Sequence, residues 1–249
     1  MALDEALAET VRAGGAPFLR FYFWEPAALS LGRFQNLQTG LSAEAATVPR
    51  VRRPTGGGGI WHADELTYSL GCRQDDLNTT GVKASFEILC GFLVDAWRSL
   101  GWDAGFAKDV SRAGELGGFT PACFAGQEEY DILVAGKKLG GNAQRRERTT
   151  IFQHGSLPRV LDHSVLERLF LPGFRPDPAS TTDLKICGWR GTSPELIPVL
   201  AEAFRSRLDV ELTEALPTAE EHRRAEALRQ ERFADPEWTQ NGPGRLRQV

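Results

Sequence analysis

Hydrophobic positions along the chain switch between two periods, and the switches mark its elements. Over residues 1–12, Leu3, Ala6, Leu7 and Val11 recur at three- and four-residue steps and predict an amphipathic helix. Residues 18–24 are a dense aromatic run that predicts a strand covered on both faces. Residues 28–31 and 48–52 predict further strands, and Pro54, with no N–H to donate, ends the pairing. Strand period resumes over 65–72, with Leu66, Tyr68 and Leu70 on one face. The clearest helix follows: Phe86, Leu89, Leu93, Trp97 and Leu100 form one stripe, and Gly101 is placed as its C-terminal cap.

Residues 109–122 are rich in Gly, Ser and Pro and read as a loop. Beyond them, 130–134, an Ala135-Gly136 corner and 138–144 predict a β-hairpin, with a further strand over 149–157. The character then changes. Asp162 is placed to cap a short helix reaching Phe170, 172–182 is linker-like, and Ser193-Pro194 opens a helix to about Leu208. Thr218 and Glu221 form a capping box for a last charged helix.

Strands adjacent in sequence and joined by tight turns favour an α+β fold, with a mixed or mainly antiparallel sheet flanked by helices. The expected division is a catalytic domain over 1–175 and a C-terminal helical extension, 176–249, packed on it. The net charge of -4 argues against a nucleic-acid binder that relies on a general basic field. No apolar run is long enough to span a bilayer and the N-terminus lacks an export pattern, so a cytoplasmic protein is expected; no apolar stripe is left without a core role, so a monomer is expected. The four cysteines, Cys72, Cys90, Cys123 and Cys187, are scattered without a CxxC pair, so no metal site is expected.

Three stretches carry candidate chemistry. Arg52-Arg53 precede four consecutive glycines, Gly56, Gly57, Gly58 and Gly59, with His62 close behind. Such a run is entropically costly and is tolerated where backbone approaches a ligand, with the arginines placed to steer an anionic group; the competing reading is a flexible hairpin tip. Lys138 sits between a turn and a glycine pair, where its ammonium either polarises a carbonyl in a pocket or remains a solvated edge lysine. Lys137 points to the opposite face and suits the solvated role. Cys123 ends a polar loop just ahead of that hairpin and is either a nucleophile beside a cation or a small buried hydrophobe. His154 completes the acid/base candidates and leans towards a structural role. Arg145, Arg146 and Arg148 make either a local basic patch or a solvated strand end.

In this order, MALDEAL, LSLGRFQN, RRPTGGGGIWHADELTYS, PACF, YDILVAGKKLGGNAQRR, FQHGSL and the later DPEWT resemble the catalytic domain shared by lipoate–protein ligases, octanoyltransferases and biotin ligases. The nearest likeness is to the cysteine-dependent octanoyltransferases that modify the glycine-cleavage H protein. The resemblance implies that Cys123 forms an acyl thioester and that Lys138, with backbone N–H groups around Gly141, Asn142 and Ala143, holds the acyl carbonyl. It also implies that Arg53, the residues 56–59 loop, His62 and His154 shape the acyl pocket. Octanoyl-acyl carrier protein is the implied donor and a lipoyl domain or the glycine-cleavage H protein the acceptor, with no cofactor. Family members often carry a bulkier residue where this chain has Gly59. The competing readings are an ATP- and magnesium-dependent lipoate–protein ligase and a non-catalytic paralogue that binds acyl groups or carriers.

Overall fold

The computed structural model describes residues 1–77, 79, 81–110 and 128–243. Its helices are α1 (Ala2–Arg12), α2 (Val82–Ser99), α3 (Ala107–Val110), α4 (His163–Leu169), α5 (Leu184–Cys187), α6 (Ile197–Leu208), α7 (Ala219–Leu228) and α8 (Pro236–Asn241). The strands are β1 (Phe18–Tyr22), β2 (Ala28–Leu31), β3 (Arg50–Arg52), β4 (Ile60–His62), β5 (Glu65–Arg73), β6 (Ala104–Phe106), β7 (Ile132–Val134), β8 (Lys137–Leu139), β9 (Gly141–Arg146), β10 (Thr150–Pro158) and β11 (Thr181–Thr182). They form three sheets: an antiparallel one in the order β1-β5-β10-β9, a mixed one in the order β11-β8-β7-β6, and a mixed one in the order β3-β2-β4. The α+β, mainly antiparallel expectation matches this arrangement.

The first sheet organises the molecule because its two faces differ. On one, Leu66, Tyr68, Leu70 and Cys72 of β5 and Ile151 and Leu157 of β10 pack on α2, whose buried side includes Leu89, Phe92, Leu93 and Trp97. Helix α6 adds Leu200 and Phe204 to the same core, with the Phe92 and Phe204 rings 5.2 Å apart edge to face. Each such side chain contributes about 1.5–3 kcal/mol on burial. Helix α2 stops as expected: Leu100 is the cap, Gly101 takes φ +81°, and Trp102 N donates to Trp97 O.

Four local expectations need correction. Strand β1 is not covered on both faces: as an edge strand it leaves all five residues half-buried, and Phe23 just beyond it is 48% exposed. Its aromatic character serves local packing, since the Phe18 ring occupies the space above Gly71. The hairpin turns at Ala135-Gly136, both at positive φ, but 138–144 is not one strand. Gly140, at φ +84°, breaks it, so β8 stays with β7 while β9 joins β10 in the first sheet. A Cβ on Gly140 would lie 2.4 Å from the Ser156 carbonyl oxygen, so only glycine fits that crossing. The 172–182 stretch is anchored by β11, which runs parallel to β8 while Lys138 N donates to Ser180 O. Ser193 makes no side-chain cap; Glu195 instead accepts from the backbone and hydroxyl of Thr192. The Thr218–Glu221 capping box forms as expected.

Candidate active site

The opposite face of the first sheet is polar although buried. Register places Thr67 and Ser69 of β5, His154 and Ser156 of β10, and Gly141, Ala143 and Arg145 of β9 on it. Helix α1 and the β3-β2-β4 sheet lie over this face. Between them is a small cavity, about 260 Å³ of unfilled space including its opening, lined by Ser30, Arg53, Ile60, His62, Thr67, Gly141, Ala143, His154, Gly155 and Ser156, with Met1 at its edge. The residues flanking the glycine run thus reach the lining, whereas the four glycines do not.

A hydrogen-bonded relay forms the polar wall. Glu65, 3% exposed, faces His62 Nδ1 at 2.8 Å and also accepts from the Thr67 and Ser156 hydroxyls. A carboxylate only accepts, so in the neutral ring the proton resides on Nδ1 and Nε2 accepts from the Ser30 hydroxyl at 2.7 Å. Ser30 Oγ in turn accepts from Arg53 at 3.2 Å. Trp24 locks the ring from the side: its indole stacks on His62 with centroids 4.0 Å apart, and its Nε1 donates to Thr67. His154 lies across the cavity with Nε2 2.6 Å from Thr55 Oγ1. Burial, followed by the charge of Arg53, pushes the His154 pKa down to about 3, so the ring is neutral at ordinary pH.

The two arginines ahead of the glycines do different work from anion steering. Both are 1% exposed. Arg53 donates to the carbonyls of Ser30, Gly56 and Gly58, which shapes the loop from within. Arg52 donates to the carbonyls of Gly32 and Gln35 and to those of Trp238, Thr239 and Gln240, while Trp238 Nε1 donates back to Arg52 O. The C-terminal segment is thereby tied to β3 and to the segment around Gly32 and Gln35. Two glycine positions have steric reasons: a Cβ on Gly32 would lie 1.8 Å from Gly57 O, and one on Gly59 would lie 3.1 Å from the Phe170 ring. The Phe170 ring fills the space that a bulkier residue at 59 would take.

Lys138 is 2% exposed, with Nζ 2.6 Å from Asp131 Oδ2, so it is a buried cation and not a solvated edge lysine. Lys137 is half-buried. Asn142 Oδ1 accepts from Tyr68 OH at 2.7 Å, and Gly155 is squeezed between those two side chains. Cys123 lies outside the described residues. Burial pushes the thiols of Cys72 and Cys90 up to about 12 and raises that of Cys187, so none of these three is a ready thiolate.

The expected basic patch does not form on the surface. Arg145 makes a two-pronged ion pair with Glu5 and a further one with Glu147, and Arg146 donates to Gln74, Gly81 O and Ser85; of the three, Arg148 is exposed. Among the described residues there is no cluster of three or more His, Cys, Asp or Glu placed to hold a metal, and no helix long and apolar enough to cross a membrane. Sequence reasoning missed Ser30, Thr55, Glu65, Thr67 and Ser156.

A model of the lipoyl protein ligase A/B catalytic domain matches residues 1–204. The chain belongs to this family. It is an acyltransferase of the lipoyl/octanoyl class. Octanoyltransferase LipM of Geobacillus kaustophilus is 32% identical over 96% of the chain and 92% of that protein, and the Kyrpidia tusciae LipM is 35% identical with the same coverage. The solved structure of Ta0514, a putative lipoate protein ligase from T. acidophilum with bound lipoic acid, has the same fold. Its TM-score is 0.79 at 23% identity, covering 96% of this chain and 91% of that one. Lipoate-protein ligase A bound with ATP gives 0.79 at 21% identity, covering 96% and 92%.

Proposed function

We propose that this acyltransferase moves an octanoyl group from acyl carrier protein to a lysine of a lipoyl carrier domain, such as the glycine-cleavage H protein, through a thioester on Cys123 and without ATP or magnesium. The likeness to octanoyltransferases along 96% of the chain carries this reading. The high thiol pKa of the other three cysteines supports Cys123 as the nucleophile.

In the first step the Cys123 thiolate attacks the donor thioester carbonyl. A carbon–sulfur bond to Cys123 forms, the bond to the carrier sulfur breaks, and the carrier thiolate takes up a proton. In the second step the neutral acceptor amine attacks the new thioester. The amide bond forms, the Cys123 bond breaks, and the ammonium proton passes to the departing thiolate. Both steps place negative charge on the carbonyl oxygen, which Lys138 and the backbone N–H groups of Gly141, Asn142 and Ala143 would stabilise. Arg53, Ile60, His62 and His154 would wall the acyl pocket, with the residues 56–59 loop holding Arg53 from behind. Each buried methylene contributes about 0.8 kcal/mol, so the depth of that pocket sets chain length.

The decisive experiment is intact-protein mass spectrometry after mixing with octanoyl-acyl carrier protein without ATP. The expected result is one octanoyl adduct, labile to hydroxylamine and absent from Cys123→Ala. No adduct, together with ATP-dependent modification of a lipoyl domain by free octanoate or lipoate, would replace this reading with a ligase.

A further inference from the structure

Beside the cavity stands a group of guanidinium side chains that the acyl chemistry does not use. The β9 face that lines the cavity with Gly141 and Ala143 continues to Arg145. On the other side, Arg33 follows Gly32 on the segment pressed against the glycine loop. Its N–H donates to Thr55 O at 2.7 Å, and the Thr55 hydroxyl contacts the cavity residue His154. Arg232 comes from the C-terminal segment. The guanidinium carbons of Arg33 and Arg232 lie 5.6 and 5.2 Å from the centroid of one indole, that of Trp238.

These cations are unequally neutralised. Arg145 pairs with Glu5 and Glu147 at 2.8 Å, and Arg232 shares Glu5 at 3.5 Å. The Arg33 guanidinium has no ion pair or hydrogen bond among the described residues, only its contacts with the Trp238 and Phe34 rings. Partial burial, then Arg145 and Arg232, hold its pKa below the usual guanidinium value, although Glu5 and Glu147 act in the opposite sense. A partly desolvated cation near two others, with no ion pair of its own among the described residues, is stabilised by an incoming anion. A carboxylate fills one guanidinium fork, whereas the oxygens of a phosphate reach two forks at once.

We propose that Arg33, with Arg232 and the Trp238 indole, forms a phosphate-binding site at the mouth of the cavity. Its ligand class is the phosphate ester of an activated acyl donor. Two sources share that chemistry, the phosphodiester of a carrier's pantetheine arm and the phosphate of a nucleotide. The choice of the pantetheine arm rests on the transferase reading above; the phosphate site itself does not. Arg232 and Trp238 lie beyond residue 204, where the match to the family model ends, so the C-terminal segment completes this site. Arg52, through the carbonyls of Trp238, Thr239 and Gln240, holds that segment in place.

Isothermal titration of the full chain at low ionic strength with 4′-phosphopantetheine, pantetheine and AMP tests this. The expected result is that phosphopantetheine binds roughly tenfold or more tighter than pantetheine, the value of one charge-assisted contact. Arg33→Ala should abolish that difference, and Arg33→Lys should retain part of it. Arg33-dependent binding of AMP, with no preference for phosphopantetheine, would support the phosphate site and assign it to a nucleotide. Equal affinities for phosphopantetheine and pantetheine, with AMP binding absent or unmoved by Arg33→Ala, would overturn the proposal. Binding is read without turnover, so this failure is distinct from failure of the Cys123 thioester.

Discussion

The two faces of the β1-β5-β10-β9 sheet are built from the same strands, residue by alternate residue, and do opposite things. On one, which is mainly apolar, Leu66, Leu70, Ile151 and Leu157 meet Phe92, Leu93 and Trp97, and the one buried amide of β10 there, Gln153, donates to the Tyr68 hydroxyl and Leu89 O. On the other, Thr67, Ser69, His154 and Ser156 are equally buried, yet every one of them is spoken for by a hydrogen bond. Burial of a polar face is tolerated only when donors and acceptors are matched. The matching here fixes side chains around a cavity. The first face therefore holds the fold together by area, and the second defines a site by geometry.

That contrast can be broken in order of effect. Phe92→Ala removes the ring that meets Tyr68 on the sheet and Phe204 on α6, and should lower unfolding free energy by about 3–5 kcal/mol in urea titrations. Activity per folded molecule should change little at a temperature where the variant remains folded. Glu65→Gln keeps the shape but removes a carboxylate that accepts from His62, Thr67 and Ser156. Its stability cost should be smaller, about 1–3 kcal/mol, and its loss of acyl transfer proportionally larger. If Glu65→Gln instead costs stability alone, the polar face is scaffold and not site.

The third test is one of pH. His154 titrates at about 3 in the folded chain against an ordinary histidine value near 6.5 in the unfolded one. The unfolded state therefore binds the extra proton below pH 6.5, and the folded state does not. The stability this group contributes is intact above about 6.5 and is lost as pH falls towards 3, by up to about 1.4 kcal/mol per unit. Urea midpoints at pH 7 and pH 5 should reveal that slope, and His154→Gln should flatten it.

Much of the scaffold is readable from periodicity. The stripe over α2, the alternation in β5 and β10, the Gly101 stop and the Thr218–Glu221 box are local patterns with local causes, and each formed where expected. The misreadings share a cause as well. Residues 138–144 look like one strand because nothing local reveals that the Ser156 carbonyl occupies the space beside Gly140. Arg52 and Arg53 look like anion binders because their carbonyl partners are as distant in sequence as Gln240. Arg145 looks like surface charge until Glu5 of α1 is laid against it.

By itself, then, the sequence determined the elements, the α+β class, the order of the motifs and the resemblance they carry, because these depend on neighbours within a few residues. Tertiary structure alone decided which polar residues are buried and with whom. It made Glu65, Ser30 and Thr67 a wall, turned two arginines into braces, and brought the C-terminal Trp238 beside Arg33. A polar side chain has the same local pattern whether water or a partner satisfies it. Only the path of the rest of the chain settles which.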